Sequence, residues 1–175
     1  MYYLDGLASW PMRPEAKDVL IDALAQPGNA NSNHVAGWRA NRLYEKGRRA
    51  VATLIGAAPN EIFITSGATE ANALAIIGTS RAVAEQFPHR NKIILSALEH
   101  DAVRRPAEAL RELGFEVLMC PVGMNGSICL ESLAALLGET TLLVSTMLAS
   151  NLTGVIQPIE KISVRRHIKW NILAA

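Results

Sequence analysis

Net charge is what this chain has least of. Over 175 residues the formal balance is +1, with 19% of residues charged. There is no basic stripe for nucleic acid and no acidic tail, so no strong electrostatic partner is expected. No run approaches the ~18 consecutive apolar residues of a membrane span. The opening Met1-Tyr2-Tyr3-Leu4-Asp5 lacks the charged and apolar regions of a signal peptide. The only cysteines, Cys120 and Cys129, have no metal-ligand spacing, and no metal site is expected. Without an export signal a reducing, cytoplasmic setting is the default, and both cysteines read as buried thiols rather than a disulfide. Nucleotide signatures are missing too. Ser66-Gly67-Ala68-Thr69 lacks the lysine and spacing of a P-loop, and no G-x-G-x-x-G occurs, so ATP and NAD are disfavoured.

What is present is a core. Half the residues are hydrophobic, and the length suits one domain. The chain is organised around Glu61-Ile62-Phe63-Ile64-Thr65-Ser66-Gly67-Ala68-Thr69-Glu70-Ala71-Asn72. It reads as a short apolar strand, a small-residue hinge and a helix running to about Phe87. Such a turn aims free backbone N–H groups and the positive end of a helix dipole at one spot, which suits a phosphate. Before it, Pro14 opens a helix that stops at Pro27-Gly28, an Asn-dense loop spans Gly28 to His34, and a long helix covers about Gly37 to Ala57. The Asn-dense loop reads most simply as surface, although it could bind a ligand.

After it, Lys92–Ser96, Phe115–Cys120 and Leu142–Met147 read as strands. Helices fall between them and from Pro158 to about His167, and a last apolar run spans Ile168 to Ala175. Continuous apolar strands alternating with helices predict an α/β fold with a mostly parallel sheet and helices on both faces. Ligands of such sheets bind beyond the carboxyl ends of the strands. Three polar loops sit there: after Thr65, after Ser96 with Glu99-His100, and after Met147 with Asn151. His100 could stack on a planar ring or shuttle a proton, or be merely structural. Asn151 could hydrogen-bond a ring substituent, or serve as a turn residue before Gly154.

In this order the motifs resemble those of the cysteine desulfurases, pyridoxal-phosphate enzymes of the class V aminotransferase group. The resemblance rests on Tyr3-Leu4-Asp5 with Pro11, on Gly28-Asn29 to Ser32 with His34 and Gly37, and on Thr65-Ser66-Gly67-Ala68-Thr69-Glu70 with Asn72 and Leu74. It continues through Glu99-His100 with Ala102-Val103, and through Ser150-Asn151 with Gly154 and Gln157-Pro158-Ile159. It covers about Tyr3 to Ile162. It implies a truncated large domain of fold-type I, with an N-terminal arm and helix over 1–30, an incomplete cofactor-binding domain over 31–175 and no C-terminal domain. It implies pyridoxal 5'-phosphate held by the Ala68 N–H and by Thr69. It further implies His100 as ring-stacking and proton-transferring catalytic residue, and Asn151 on the ring's phenolic oxygen. The implied reaction converts L-cysteine to L-alanine and passes sulfur, as a persulfide on an enzyme cysteine, to acceptor proteins of iron–sulfur assembly or to tRNA modification. The full-length form would be a homodimer.

The departures shape the expectation. Leu7 and Trp10 are bulky where the family's opening loop is small, and Leu173 stands where the resemblance places the aspartate that pairs with the pyridine nitrogen. None of Lys17, Lys46, Lys92, Lys161 or Lys169 lies in a context matching the Schiff-base lysine, and neither Cys120 nor Cys129 matches the persulfide carrier. The chain also stops on an apolar run, which reads as a fragment or as a chain that needs a partner. It is expected to be inactive alone. The rival readings are a non-catalytic phosphate-ligand-binding or subunit-pairing protein, and selenocysteine lyase or another class V carbon–sulfur lyase.

Overall fold

The computed structural model describes residues 2, 6 and 9–163. The opening strand with Leu7, the continuation of the last helix to His167, the final apolar run and Leu173 lie outside the described residues. The chain divides into two compact units, 1–64 and 65–175.

The first unit is helical. Helix α1 (Pro14–Leu24) starts with proline in its first turn, where a missing N–H costs little, and buries no residue. Helix α2 (Val35–Ile55) is capped by His34, whose Nδ1 accepts the Gly37 N–H at 3.2 Å. It ends at Gly56, whose left-handed φ of 69° favours glycine. The loop before it satisfies itself: Asn29 Oδ1 accepts the Asn31 N–H, and Asn33 Oδ1 accepts the Trp38 indole N–H. A Cβ on Gly37 would stand 2.1 Å from the Ser32 carbonyl oxygen, so only glycine permits this approach.

The expected strand at Glu61–Ile64 is not one. Pro59–Glu61 forms a 3-10 turn and residues 62–64 are irregular, with Phe63 77% and Ile64 51% exposed. A strand exists only through a ladder and a covered face, and among the described residues this segment has no ladder partner. Apolar character alone did not make it a strand.

The second unit is the α/β layer. Its sheet has three parallel strands, β1 (Lys92–Ser96), β2 (Glu116–Cys120) and β3 (Thr141–Ser145), in the order β2-β1-β3. The β1–β2 register is Lys92 opposite Glu116 through Ser96 opposite Cys120. The β1–β3 register shifts by one between Lys92 and Ile93.

Helices cover both faces. Helix α3 (Ala68–Ala73) runs without a break through a π turn at Leu74–Gly78 into α4 (Thr79–Gln86). Helix α5 (Asp101–Ala109) tightens to a 3-10 turn at Leu110–Leu113 and stops at left-handed Gly114. Ile76, Val103, Ala107 and Leu110 pack with Ile93, Leu95, Val117 and Leu143 on one face. Helices α6 (Leu130–Leu136) and α7 (Ile159–Ser163) supply Leu133 and Ile162, which pack with Ile94, Cys120 and Val144 on the other. Strand β1 therefore splits its side chains between two cores, as a central parallel strand must. Each fully buried Ile or Leu contributes roughly 1.5–3 kcal/mol.

Candidate functional site

The loops after β1 and β3 and the start of α3 open on one cavity of about 490 Å³, although α3 follows an irregular segment rather than the expected strand. It is lined by Ala68 and Thr69 from the start of α3, Glu99 and His100 from the loop after β1, and Met147 and Asn151 from the loop after β3. A second cavity shares Thr69, Glu99, His100 and Asn151. The four residues expected from the sequence, Ala68, Thr69, His100 and Asn151, are thus brought together, on elements 80 residues apart in the chain.

The start of α3 is open. The Ala71 N–H bonds back to Gly67 O at 3.1 Å, and no side chain among the described residues caps the helix. The earlier amides of Ala68, Thr69 and Glu70 have no intrahelical acceptor. Glu70 does not compete for them. Its carboxylate accepts both the Ser66 N–H (2.7 Å) and the Ser66 Oγ–H (2.5 Å). These hydrogen bonds hold Glu70 below the usual carboxylate range. They also brace the hinge, a role sequence reasoning did not assign.

His100 is the N-cap of α5, and its Nδ1 accepts the Ala102 N–H at 3.0 Å. That bond makes Nδ1 an acceptor, so in the neutral ring the proton sits on Nε2. Asn151 sits in a tight turn. Ser150, buried, accepts the Leu152 and Thr153 amides on Oγ at 3.3 and 3.2 Å, and Gly154 follows with φ 72°. The side chains of Thr69 and Asn151 make no hydrogen bond with the described residues, so both are free to meet a ligand.

Two residues gained significance only in three dimensions. Glu99 is half-buried, its carboxyl accepts Ser145 Oγ–H at 3.0 Å, and burial raises its pKa above the ordinary glutamate range, making it a weaker acid. Asn72 is 9% exposed and lines the cavity, and its Oδ1 has no partner among the described residues. Adjacency to His100 was a signal for Glu99. The Asn72 environment had none, because it depends on how α3 packs against α5.

The donor set suits a phosphorylated, planar, hydrogen-bonding ligand: open amides, a hydroxyl, an imidazole and a side-chain amide share one cavity. An orphaned buried acceptor on the lining is consistent with it. The aminotransferase class-V family model matches residues 2–174. The chain belongs to the class-V aminotransferase family.

Among its relatives, the mitochondrial cysteine desulfurase of Drosophila melanogaster is 41% identical over 162 residues, covering 91% of this chain and 34% of that protein. A solved NifS-like protein superposes with a TM-score of 0.84 at 37% identity, over 98% of this chain and 47% of that one. DndA from Streptomyces lividans gives 0.78 at 39% identity, over 93% and 45%. The chain therefore spans under half the length of the relatives it matches. The family and its desulfurase members imply pyridoxal phosphate. No lysine among the described residues lines either cavity. Cys120 is fully buried and pushed up to about 11 by burial, and Cys129 is half-buried.

Proposed function

We propose that this chain forms the phosphate- and ring-holding part of a cysteine desulfurase site. The observation that carries the reading is the convergence of Thr69, His100 and Asn151 on one cavity beside an uncapped helix start. The amides of Ala68 and Thr69 with the Thr69 hydroxyl would bind the cofactor's phosphate. The His100 ring would lie against the pyridine, with Nε2 as the atom that holds or gives up a proton. Asn151 would donate to the ring's phenolic oxygen. Pyridoxal phosphate, when bound, supplies an electron sink for cleaving the carbon–sulfur bond of L-cysteine.

The described residues offer no lysine at the cavity, and this supports the reading that the chain does not turn over alone. Sulfur-acceptor proteins belong to the same proposal as recipients. The homodimer does too, supported by the exposed apolar residues Val19, Ile21 and Leu24 on α1.

Equilibrium dialysis with pyridoxal phosphate tests the site. Wild type should bind, and Thr69→Ala and His100→Ala should each weaken binding about tenfold, the scale of one strong hydrogen bond or stacking contact. No uptake by wild type would defeat the reading. Alanine release from L-cysteine by this chain alone would defeat the claim of inactivity.

A further inference from the structure

Glu99 touches both sides of the site. Its carboxyl accepts the Ser145 hydroxyl at 3.0 Å, linking residues 46 apart in the chain. The backbone N–H groups of His100 and Met147 also favour its charged form. These three groups come from the loop that carries His100, the end of β3, and the loop that leads to Asn151.

Glu99 lines both cavities, and the titratable residues that line them with it stand on its own loop and on α5: His100, Asp101 and Arg105. The β3 end facing it, Ser145 to Ala149, carries no charge. Arg105 is engaged by Asp101 at 3.1 Å. Among the described residues Glu99 is therefore not half of an ion pair. It is an acceptor at a loop junction, where directional bonds define geometry.

We propose that Glu99 is a positioning residue: one carboxyl clips the loop after β1 to the end of β3, and so sets His100 and Asn151 at a common height over the cavity. The consequence for the cofactor rests on the function proposed above. The clip itself does not. Gln in its place has nearly the same shape and can still accept from Ser145. It also places an NH2 group where Glu99 offers only acceptors, setting donor against the His100 and Met147 amides. Ala removes the Ser145 bond and the acceptor that the two amides favour, and Ser145→Ala removes the bond alone.

The test uses the full 175-residue chain. Its first readout is NMR of the His100 imidazole and the Asn151 side-chain amide without ligand. Its second is pyridoxal-phosphate affinity by dialysis. Glu99→Gln should move both resonances and weaken affinity about tenfold, as for a lost charge-assisted bond. Its far-UV spectrum should match wild type. Ser145→Ala should move the same resonances less. It serves as the decisive variant if Glu99→Gln does not fold. Glu108→Gln, on the solvent side of α5, should move neither. If wild type binds no cofactor, the proposed function falls and the NMR arm still decides the clip. Unmoved His100 and Asn151 resonances in both Glu99→Gln and Ser145→Ala would overturn the inference.

Discussion

Asn72, Glu99 and Cys120 show how local environment sets what a side chain does. The Asn72 Oδ1 is buried without a partner among the described residues, and such an atom carries its full desolvation cost. Asn72→Leu, which removes it at similar volume, should leave thermal stability unchanged or raise it by up to about 1 kcal/mol. A loss well beyond that would mean a partner is present in solution. For Glu99 the sign follows from burial, which raises the folded-state value above the unfolded one. Its contribution is therefore greatest in acid and fades as pH rises from the ordinary glutamate range through the raised value. Urea melts of wild type and Glu99→Gln across that window should show wild type losing stability relative to the variant as pH rises. Cys120, with no exposure and a thiol pushed up to about 11, should resist iodoacetamide in the folded protein while half-buried Cys129 labels first.

At the scale of elements, loops are held by a few buried hydrogen bonds. Gln157 is 3% exposed. Its Oε1 accepts the Ile128 N–H at 2.8 Å and its Nε2 donates to Gly126 O at 2.9 Å. It thus ties the turn before α6 to the segment that follows Asn151. Gln157→Ala leaves two backbone groups without partners and should cost roughly 1–3 kcal/mol in urea denaturation. The sequence placed Gln157 in a motif but could not show this double bond, since its partners lie about 30 residues away. Helix and strand identities were legible because each needs mainly its own periodicity and its caps: Lys92–Ser96, the Gly114 boundary and the apolar faces read directly from residue order, whereas the long helix, expected from about Gly37, starts at Val35 behind the His34 cap. Glu61–Ile64 did not, because a ladder is a property of two segments.

For the molecule as a whole, the two units differ in how much they bury. Strand β1 has Ile93, Ile94 and Leu95 at zero exposure, whereas α1 buries nothing. Hydrogen exchange should follow this division. Amides of β1 should exchange only through the largest openings, and those of α1 should exchange fastest among the helices. Comparable protection in the two would show that α1 is covered in solution, as in a homodimer.

Residue order by itself determined the alternation of helices with continuous apolar strands, and hence a parallel sheet covered on both faces. It also marked Ala68, Thr69, His100 and Asn151 as candidates, through motifs that resemble the cysteine desulfurases and lie on loops expected at strand ends. Tertiary structure alone decided that these four line one cavity, that His100 turns its Nδ1 to its own helix, and that Glu99 reaches Ser145. The reason is physical: periodicity and caps act within a few residues, while cavities and cross-loop hydrogen bonds depend on which segments the core brings side by side.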